Sequence, residues 1–280
     1  MDWIIHYEPL LRLSCFAGVL LLMLTWEQLA PKRPRGEAGT LWRRRSHHVS
    51  LTALNTVLLR LLPGIAAVQA ALIAEQQQWG LFYWLDMTPI WTLLLAVLFL
   101  DLAIYFQHRV FHAVPVLWRL HRLHHSDPDF DTTTALRFHP LEIALSMLIK
   151  FVVVWLLGAP VIAVIVFEVL LNAAALFNHG NVRLPRRIDA VLRLLIVTPD
   201  MHRVHHSTLP HETNSNFGFN FPWWDRLFRT YRAQPQAGHT AMHIGLQEFP
   251  RASTRRFVDL LLQPLAQVNA DKPDTPSKIN

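Results

Sequence analysis

Five stretches of the chain are nearly free of charge, and their lengths set the first expectation. Residues 10–30 end at Pro31 and the basic run Lys32, Arg33, Arg35. About 20 apolar residues make a helix long enough to cross ~30 Å of hydrocarbon. The second stretch, 49–74, carries Arg60, and the third, 90–106, is almost unbroken. The fourth and fifth, 141–157 and 161–177, meet at Gly158-Ala159-Pro160. Gly-x-Pro is turn chemistry, so these two predict a tight helical hairpin that barely crosses the bilayer. The first stretch reads as a spanning helix rather than a cleaved signal peptide. Glu8 stands ahead of it, Arg12 is the only cation near its start, and no A-x-A-like site follows. The pattern predicts an all-α integral membrane bundle.

The connecting segments predict an orientation. Segment 31–48 holds Lys32, Arg33, Arg35, Arg43, Arg44 and Arg45 against Glu37 alone, whereas 75–89 has no Lys or Arg. Trp79, Tyr83 and Trp84 in the latter suit a membrane interface. The excess of cations assigns 31–48 to the cytoplasm and the N-terminus to the other side. Counting onward puts 107–140 and everything after 178 in the cytoplasm, with Arg183, Arg186, Arg187 and Arg193. Three of the ionisable residues inside apolar stretches need weighing: Arg60, Lys150 and Glu168. An ion pair near a site is one reading; for Arg60 and Lys150, snorkelling or burial against a neighbouring helix is preferred. The organisation expected is N-terminal helices with a basic loop over 1–90, a catalytic domain over 91–235 and a C-terminal cytoplasmic segment over 236–280. The polar tail, 269–280, reads as disordered.

Composition narrows the class further. Hydrophobic residues make up 52% of the 280 and charged residues only 16%, against ~25% charged in soluble domains. A disordered chain, a collagen and a disulfide scaffold are excluded. The single cysteine, Cys15, also excludes a Cys-ligated zinc ribbon and a four-thiolate iron–sulfur cluster. The net charge of +6 counts histidine as neutral. These cations hug the ends of the apolar stretches and form no stripe with interleaved aromatics, so nucleic acid is not the partner expected.

Of the 16 histidines, eight fall into three short clusters. They are His108-Arg-Val-Phe-His112, His121-Arg-Leu-His124-His125 and His202-Arg-Val-His205-His206. Residues three and four apart share a helical face, so each cluster can aim its imidazoles at a metal. A lone H-x-x-x-H is common by chance. Three clusters beside membrane segments are hard to explain by packing, because neutral buried imidazoles need partners and charged ones repel. His179, in Phe-Asn-His-Gly-Asn, and His139, in Leu-Arg-Phe-His-Pro, sit at hairpin ends. His179 is expected to be a ligand, and His139 either a ligand or a hydrogen-bond donor to one. For the remaining six (His6, His47, His48, His211, His239 and His243), interface or surface roles are expected.

The order HRVFH, HRLHHS, ALRFHPLE, FNHGN, TPDMHRVHHS, NFGFN and WWDRLFRTY resembles the fatty acid hydroxylase/sterol desaturase superfamily of membrane oxygenases. The resemblance covers about residues 95–235. It implies a four-helix transmembrane region with a cytoplasmic helical cap that holds a histidine-rich dimetal site. The implied ligands are His108, His112, His121, His124, His125, His179, His202, His205 and His206. Where some relatives have His-His-Gly this chain has Asn178-His179-Gly180, which leaves His139 as a possible tenth. Many relatives have Gly in the closing Phe-Gly-Thr-Tyr where this chain has Arg229. Relatives with a fused cytochrome-b5 domain find no counterpart in 1–90.

The implied cofactor is two non-haem iron ions, with zinc as a replacement on purification, since imidazole suits both metals. The implied activity is O2-dependent hydroxylation or desaturation of a lipid C–H bond, the substrate entering from the bilayer. A non-catalytic polyhistidine protein that stores or moves a metal is the alternative. A transporter, though, places its polar residues at the bilayer midplane. A soluble zinc hydrolase has less support still, as nothing resembles H-E-x-x-H. The chain has no G-x-G-x-x-G, and Cys15 alone cannot hold a cluster. Electrons are therefore expected from a separate ferredoxin, rubredoxin or cytochrome with its reductase. Arg183, Arg186, Arg187, Arg193 and Arg203 would present a positive face to that carrier or to anionic lipid.

Overall fold

The computed structural model describes residues 2–36, 38–62, 64, 66–249 and 256–267. Its helices are α1 (Asp2–Leu29), α2 (Ala38–Leu61), α3 (Ala67–Gln77), α4 (Leu81–Trp84) and α5 (Pro89–Ala113). After them come α6 (Pro115–His125), α7 (Pro140–Leu157), α8 (Val161–Asn178), α9 (Arg186–Leu192) and α10 (Pro199–His205). A 3-10 turn, Thr132–Leu136, precedes α7, and short helical turns follow α10. No β-strand forms among the described residues. Four helices are long and apolar enough to cross a membrane: α1 from His6, α5, α7 and α8.

The second apolar stretch departs from expectation. It is not one helix over 49–74: α2 starts back in the basic segment and ends at Leu61, and α3 starts at Ala67. Pro63-Gly64 falls between them. Proline removes an intrahelical donor and glycine raises the entropic cost of a helix, so the break is local chemistry.

α3, α5, α7 and α8 share the main core, built on Ala70, Ala71, Leu100, Val154, Val164 and Phe167. At the hairpin end, Gly80 lies against Gly158 so closely that a Cβ on Gly80 would stand 2.3 Å from the Gly158 nitrogen. Gly158 has φ +64, a left-handed C-cap that only glycine adopts cheaply. Trp79 stacks on Trp155 there, with centroids 5.2 Å apart.

The opposite end gathers the basic segment, the 126–139 turn and the chain after α8. Glu27 on α1 accepts the backbone N–H of Thr132 at 2.6 Å and of Asn181 at 2.8 Å. Arg44 on α2 reaches Asp127 at 2.7 Å and Asp131 at 2.9 Å, all three side chains being buried. Burial alone would raise the Asp127 carboxyl, but the Arg44 guanidinium holds it below its usual range. Arg44 and Arg45 therefore clamp helices together, a role that reading them as an orientation signal overlooked.

Lys150 packs against the neighbouring helix rather than snorkelling, its Nζ paired with Glu168 Oε1 at 2.8 Å, while Arg60 is exposed on the last turn of α2. Residues 256–267 dock on α6, where Arg119 Nε donates to the Pro264 carbonyl at 2.6 Å. The tail expected to be disordered, 269–280, lies outside the described residues.

Candidate metal centre

His108 and His112 lie one turn apart at the C-terminal end of α5. Val114 then adopts an extended φ/ψ of −96°/116° before Pro115, as the residue ahead of proline prefers, and the chain reverses into α6. α6 carries His121, His124 and His125; His179 caps α8; α10 carries His202 and His205, with His206 just past its end.

The nine imidazoles gather in two groups. His108, His112, His121, His125 and His205 each aim one ring nitrogen into a space where these atoms all lie within 4.8 Å of one another. His124, His179, His202 and His206 do the same beside them. Each H-x-x-H-H cluster is divided. His121 and His125 join the first group and His124 the second; His205 joins the first and His202 with His206 the second.

Hydrogen bonds on the outer nitrogens decide which way the lone pairs point. His108 Nδ1 donates to the Phe217 carbonyl at 2.9 Å, and His205 Nδ1 donates to the Ser215 carbonyl at 2.7 Å. Their Nε2 atoms carry lone pairs, yet stand 2.9 Å apart. His121 Nδ1 donates to Glu142 at 2.6 Å, which leaves its buried Nε2 without a partner. In the second group, His179 Nδ1 donates to the Ala175 carbonyl at 2.7 Å. Its single inward lone pair faces the Nε2 atoms of His124 and His202, each at 3.1 Å. Converging lone pairs repel unless a cation lies between them. Two nitrogens about 2.1 Å from one ion at right angles lie about 3 Å apart, which matches the contacts here. The donor set fits a metal in each group.

Electrostatics point the same way. Burial, followed by repulsion from neighbouring imidazoles, holds His124, His125, His202 and His206 well below the usual range. Burial lowers His179 to about 4 and His205 to about 3. Neutral imidazole is the form that ligates.

Around the histidines sits a shell that sequence reasoning missed. Asp225 accepts the backbone N–H of Phe217 and of Gly218, both at 2.8 Å, and so fixes the carbonyl that orients His108. Burial pushes the Asp225 carboxyl up to about 6 against these bonds. Asp101 accepts from Trp224 Nε1 at 2.8 Å and from the Asn220 backbone at 3.2 Å, tying the same loop to α5. The motifs NFGFN and WWDRLFRTY were visible signals, but the pairing of Asp225 with Phe217 was not. Phe138 stacks on His124 at 4.4 Å, and Phe217 lies edge-on to His108, His112 and His205.

His139 joins neither group. It caps α7 by accepting the Leu141 N–H, and its Nε2 donates to the Leu261 carbonyl at 3.1 Å. His48, expected at an interface or surface, is fully buried against Thr133 and Arg137. Arg193 and Arg203 are buried beside Asp189 and Asp200. Only Arg183, Arg186 and Arg187 of the five arginines expected on a positive face are exposed. Arg229 has φ +59, in the left-handed region that glycine adopts most cheaply.

A cavity of about 400 Å³ opens below the histidines. His108, His121, His124 and His202 form its end, and side chains of α1, α2, α5, α7 and α8 form its walls. Its lining runs from Phe111 and Phe138 to the ionic groups Arg12, Lys150 and Glu168.

Comparison with known proteins places this geometry. The fatty acid hydroxylase family model matches residues 93–230, the span that carries all nine histidines. Residues 93–230 belong to the fatty acid hydroxylase family. The chain is 30% identical over 163 residues to an ornithine lipid hydroxylase, OlsE, of Rhizobium tropici, covering 58% of this chain and 48% of that protein. It is 29% identical over 187 residues to alkylglycerol monooxygenase of Danio rerio, covering 65% and 40% respectively. Against alkylglycerol monooxygenase of Homo sapiens it is 25% identical over 226 residues, covering 78% and 46%. The chain thus spans about half the length, or less, of these curated relatives. No solved structure matches it.

Proposed function

We propose that this fatty acid hydroxylase-family chain is a multi-pass membrane oxygenase that hydroxylates a C–H bond of a lipid. One observation carries the reading: histidines of both groups, His108 and His121 of the first and His124 and His202 of the second, line a cavity sunk between apolar helices. A metal store or carrier would need the metal groups but not a lipid-sized cavity ending on them. Pockets of roughly 300–1,000 Å³ are the range that holds small molecules.

Two iron ions held by His108, His112, His121, His125 and His205 and by His124, His179, His202 and His206 would supply O2 activation and attack on the C–H bond. The chain's own residues do the rest. Carbonyls of Phe217, Ser215 and Ala175 and the Glu142 carboxylate keep the ring N–H groups outward, so the lone pairs need no reorganisation. Phe138, Phe217 and Phe130 wall the imidazoles from water. The helices hold the lipid chain with one carbon at the histidine end of the cavity. Desaturation shares the first hydrogen abstraction and differs in the fate of the carbon radical, which loses a second hydrogen instead of gaining oxygen.

Hydroxylation puts one atom of O2 into the product and the other into water, consuming two electrons and two protons. A carrier with its reductase supplies the electrons. The histidine end faces the cytoplasm, as the cations of 31–48 predict, and there the carrier meets the exposed Arg183, Arg186 and Arg187.

The test is iron-loaded protein in lipid nanodiscs with a ferredoxin–reductase system, NADPH, ¹⁸O2 and a total lipid extract. A lipid product with one ¹⁸O per molecule is expected, and His206→Ala should abolish it. A fully active His206→Ala protein overturns the assignment. Turnover with NADPH and O2 alone removes the need for a carrier.

A further inference from the structure

A second cavity, of about 280 Å³, reaches the histidines between α6, the turn after α10 and residues 246–248. It shares no lining residue with the larger one. Apart from His112, its lining comes from segments outside the four helices that can cross a membrane. His112 is the one histidine of the nine in its wall, and the one of the nine that is not buried. It is also the most loosely held. Its Nδ1 donates to Asn214 Oδ1 at 3.3 Å, whereas the outer bonds of His108, His121, His179 and His205 measure 2.6–2.9 Å. Its Nε2 stands 3.1 Å from His125 Nε2, inside the first metal group. A single half-buried ring thus separates this cavity from the centre.

The chemistry of the wall suits a hydrated cation. Thr208, Asn214 and Gln247 offer neutral oxygens, and Glu248 is the one charged side chain among the described lining residues. Six waters at ~30 Å³ each fill about 180 Å³, so an ion with its first hydration shell fits. The larger cavity suits it less. Glu168 there is already paired with Lys150 and Arg12, and an ion entering would pass between apolar spans, where a bare charge is costly.

We propose that the smaller cavity is the aqueous loading port of the metal centre, with His112 the first imidazole to take an incoming divalent cation. The proposal rests on the metal-centre part of the function proposed and not on lipid oxidation. Glu248 raises the local concentration of cation. The weak bond to Asn214 lets the His112 ring change rotamer and clear the way, while the eight buried imidazoles hold the shape of the centre. Ring nitrogens replace waters on the ion, and the waters leave through the same cavity. A port differs from a binding site in one measurable respect: blocking it slows entry and exit alike and leaves the affinity unchanged.

Metal-free protein in nanodiscs is mixed with Zn²⁺ in stopped flow, and uptake is read from a fluorescent zinc indicator. Release is then followed in excess chelator. Thr208→Trp fills the port and is expected to slow uptake by about tenfold or more and release by the same factor, with equal zinc content at the plateau. Glu248→Gln should slow uptake about threefold at low salt, and less as salt rises. Leu59→Trp narrows the larger cavity and should leave both rates as they are. Where Thr208→Trp fails to fold, Gln247→Trp, at an exposed position of the same wall, makes the same test. Unchanged uptake in the port variant, an altered affinity with unchanged uptake, or slow uptake in Leu59→Trp alone overturns the proposal. A chain that binds no Zn²⁺ overturns the metal centre and the function built on it, whereas failure of the port leaves that function standing.

Discussion

At the residue scale, the centre depends on groups that never touch a metal. Glu142 reaches back from the first turn of α7 to hold His121 Nδ1 at 2.6 Å, fixing its tautomer and aim. Glu142→Gln keeps the shape but weakens the charge-assisted bond, so metal affinity should fall ~10- to 100-fold. Competition with a chelator of known affinity measures this, and unchanged retention would contradict the role. Arg229 offers a prediction of opposite sign. It is exposed and held at φ +59, a conformation that costs an L-residue about 1–2 kcal/mol. Arg229→Gly relieves that strain, less the extra chain entropy of glycine, so stability should rise by up to about 1 kcal/mol. A lowered thermal midpoint would show that the side chain contributes more than the strain costs.

At the scale of elements, the clamp between α2 and the 126–139 turn should govern acid stability. Burial, with Arg44 and Arg137 beside it and against the pull of Asp127, lowers His48 to about 3. The unfolded value is ~6.5, so His48 contributes stability present above that pH and lost as pH falls toward 3. Asp127 is depressed below an unfolded value of ~3.9, so its contribution is present above that pH and lost as pH falls through its folded value. Stability of the metal-loaded protein should therefore decline from about pH 6.5 and steepen below about 4. Arg44→Met takes the guanidinium from buried Asp127 and leaves Asp131 to Arg45 alone, which should cost ~3–5 kcal/mol and move the steep part to higher pH. Thermal midpoints of both proteins from pH 7 to 3 test this; parallel curves would leave Arg44 without the role. The clamp was illegible in sequence because Arg44 and Asp127 are 83 residues apart.

At the scale of the whole molecule, the eight histidines singled out by spacing, and His179 with them, lie at the end where the basic segment and the chain after α8 meet. The 79–84 turn lies at the other end, packed on Gly158 and Trp155. If the cations of 31–48 set the orientation, Leu85→Cys labels with an impermeant reagent from outside intact cells and His211→Cys does not, in a Cys15→Ser background. Both positions are exposed, so the reverse pattern would invert the assignment. The hairpin, the apolar spans and the three histidine clusters were readable because helix period, apolar length and turn residues are local properties. The split of α2 from α3 was equally local, at Pro63-Gly64, and the hydropathy pattern alone hid it. Tertiary structure alone decided how each H-x-x-H-H cluster divides between two metal groups. It also took His139 out of the centre to cap α7, brought Glu142 and Asp225 to its edge, and closed Lys150 on Glu168 inside a cavity. Each of these outcomes depends on which helices face one another, and contacts across tens of residues leave no periodic trace in the chain.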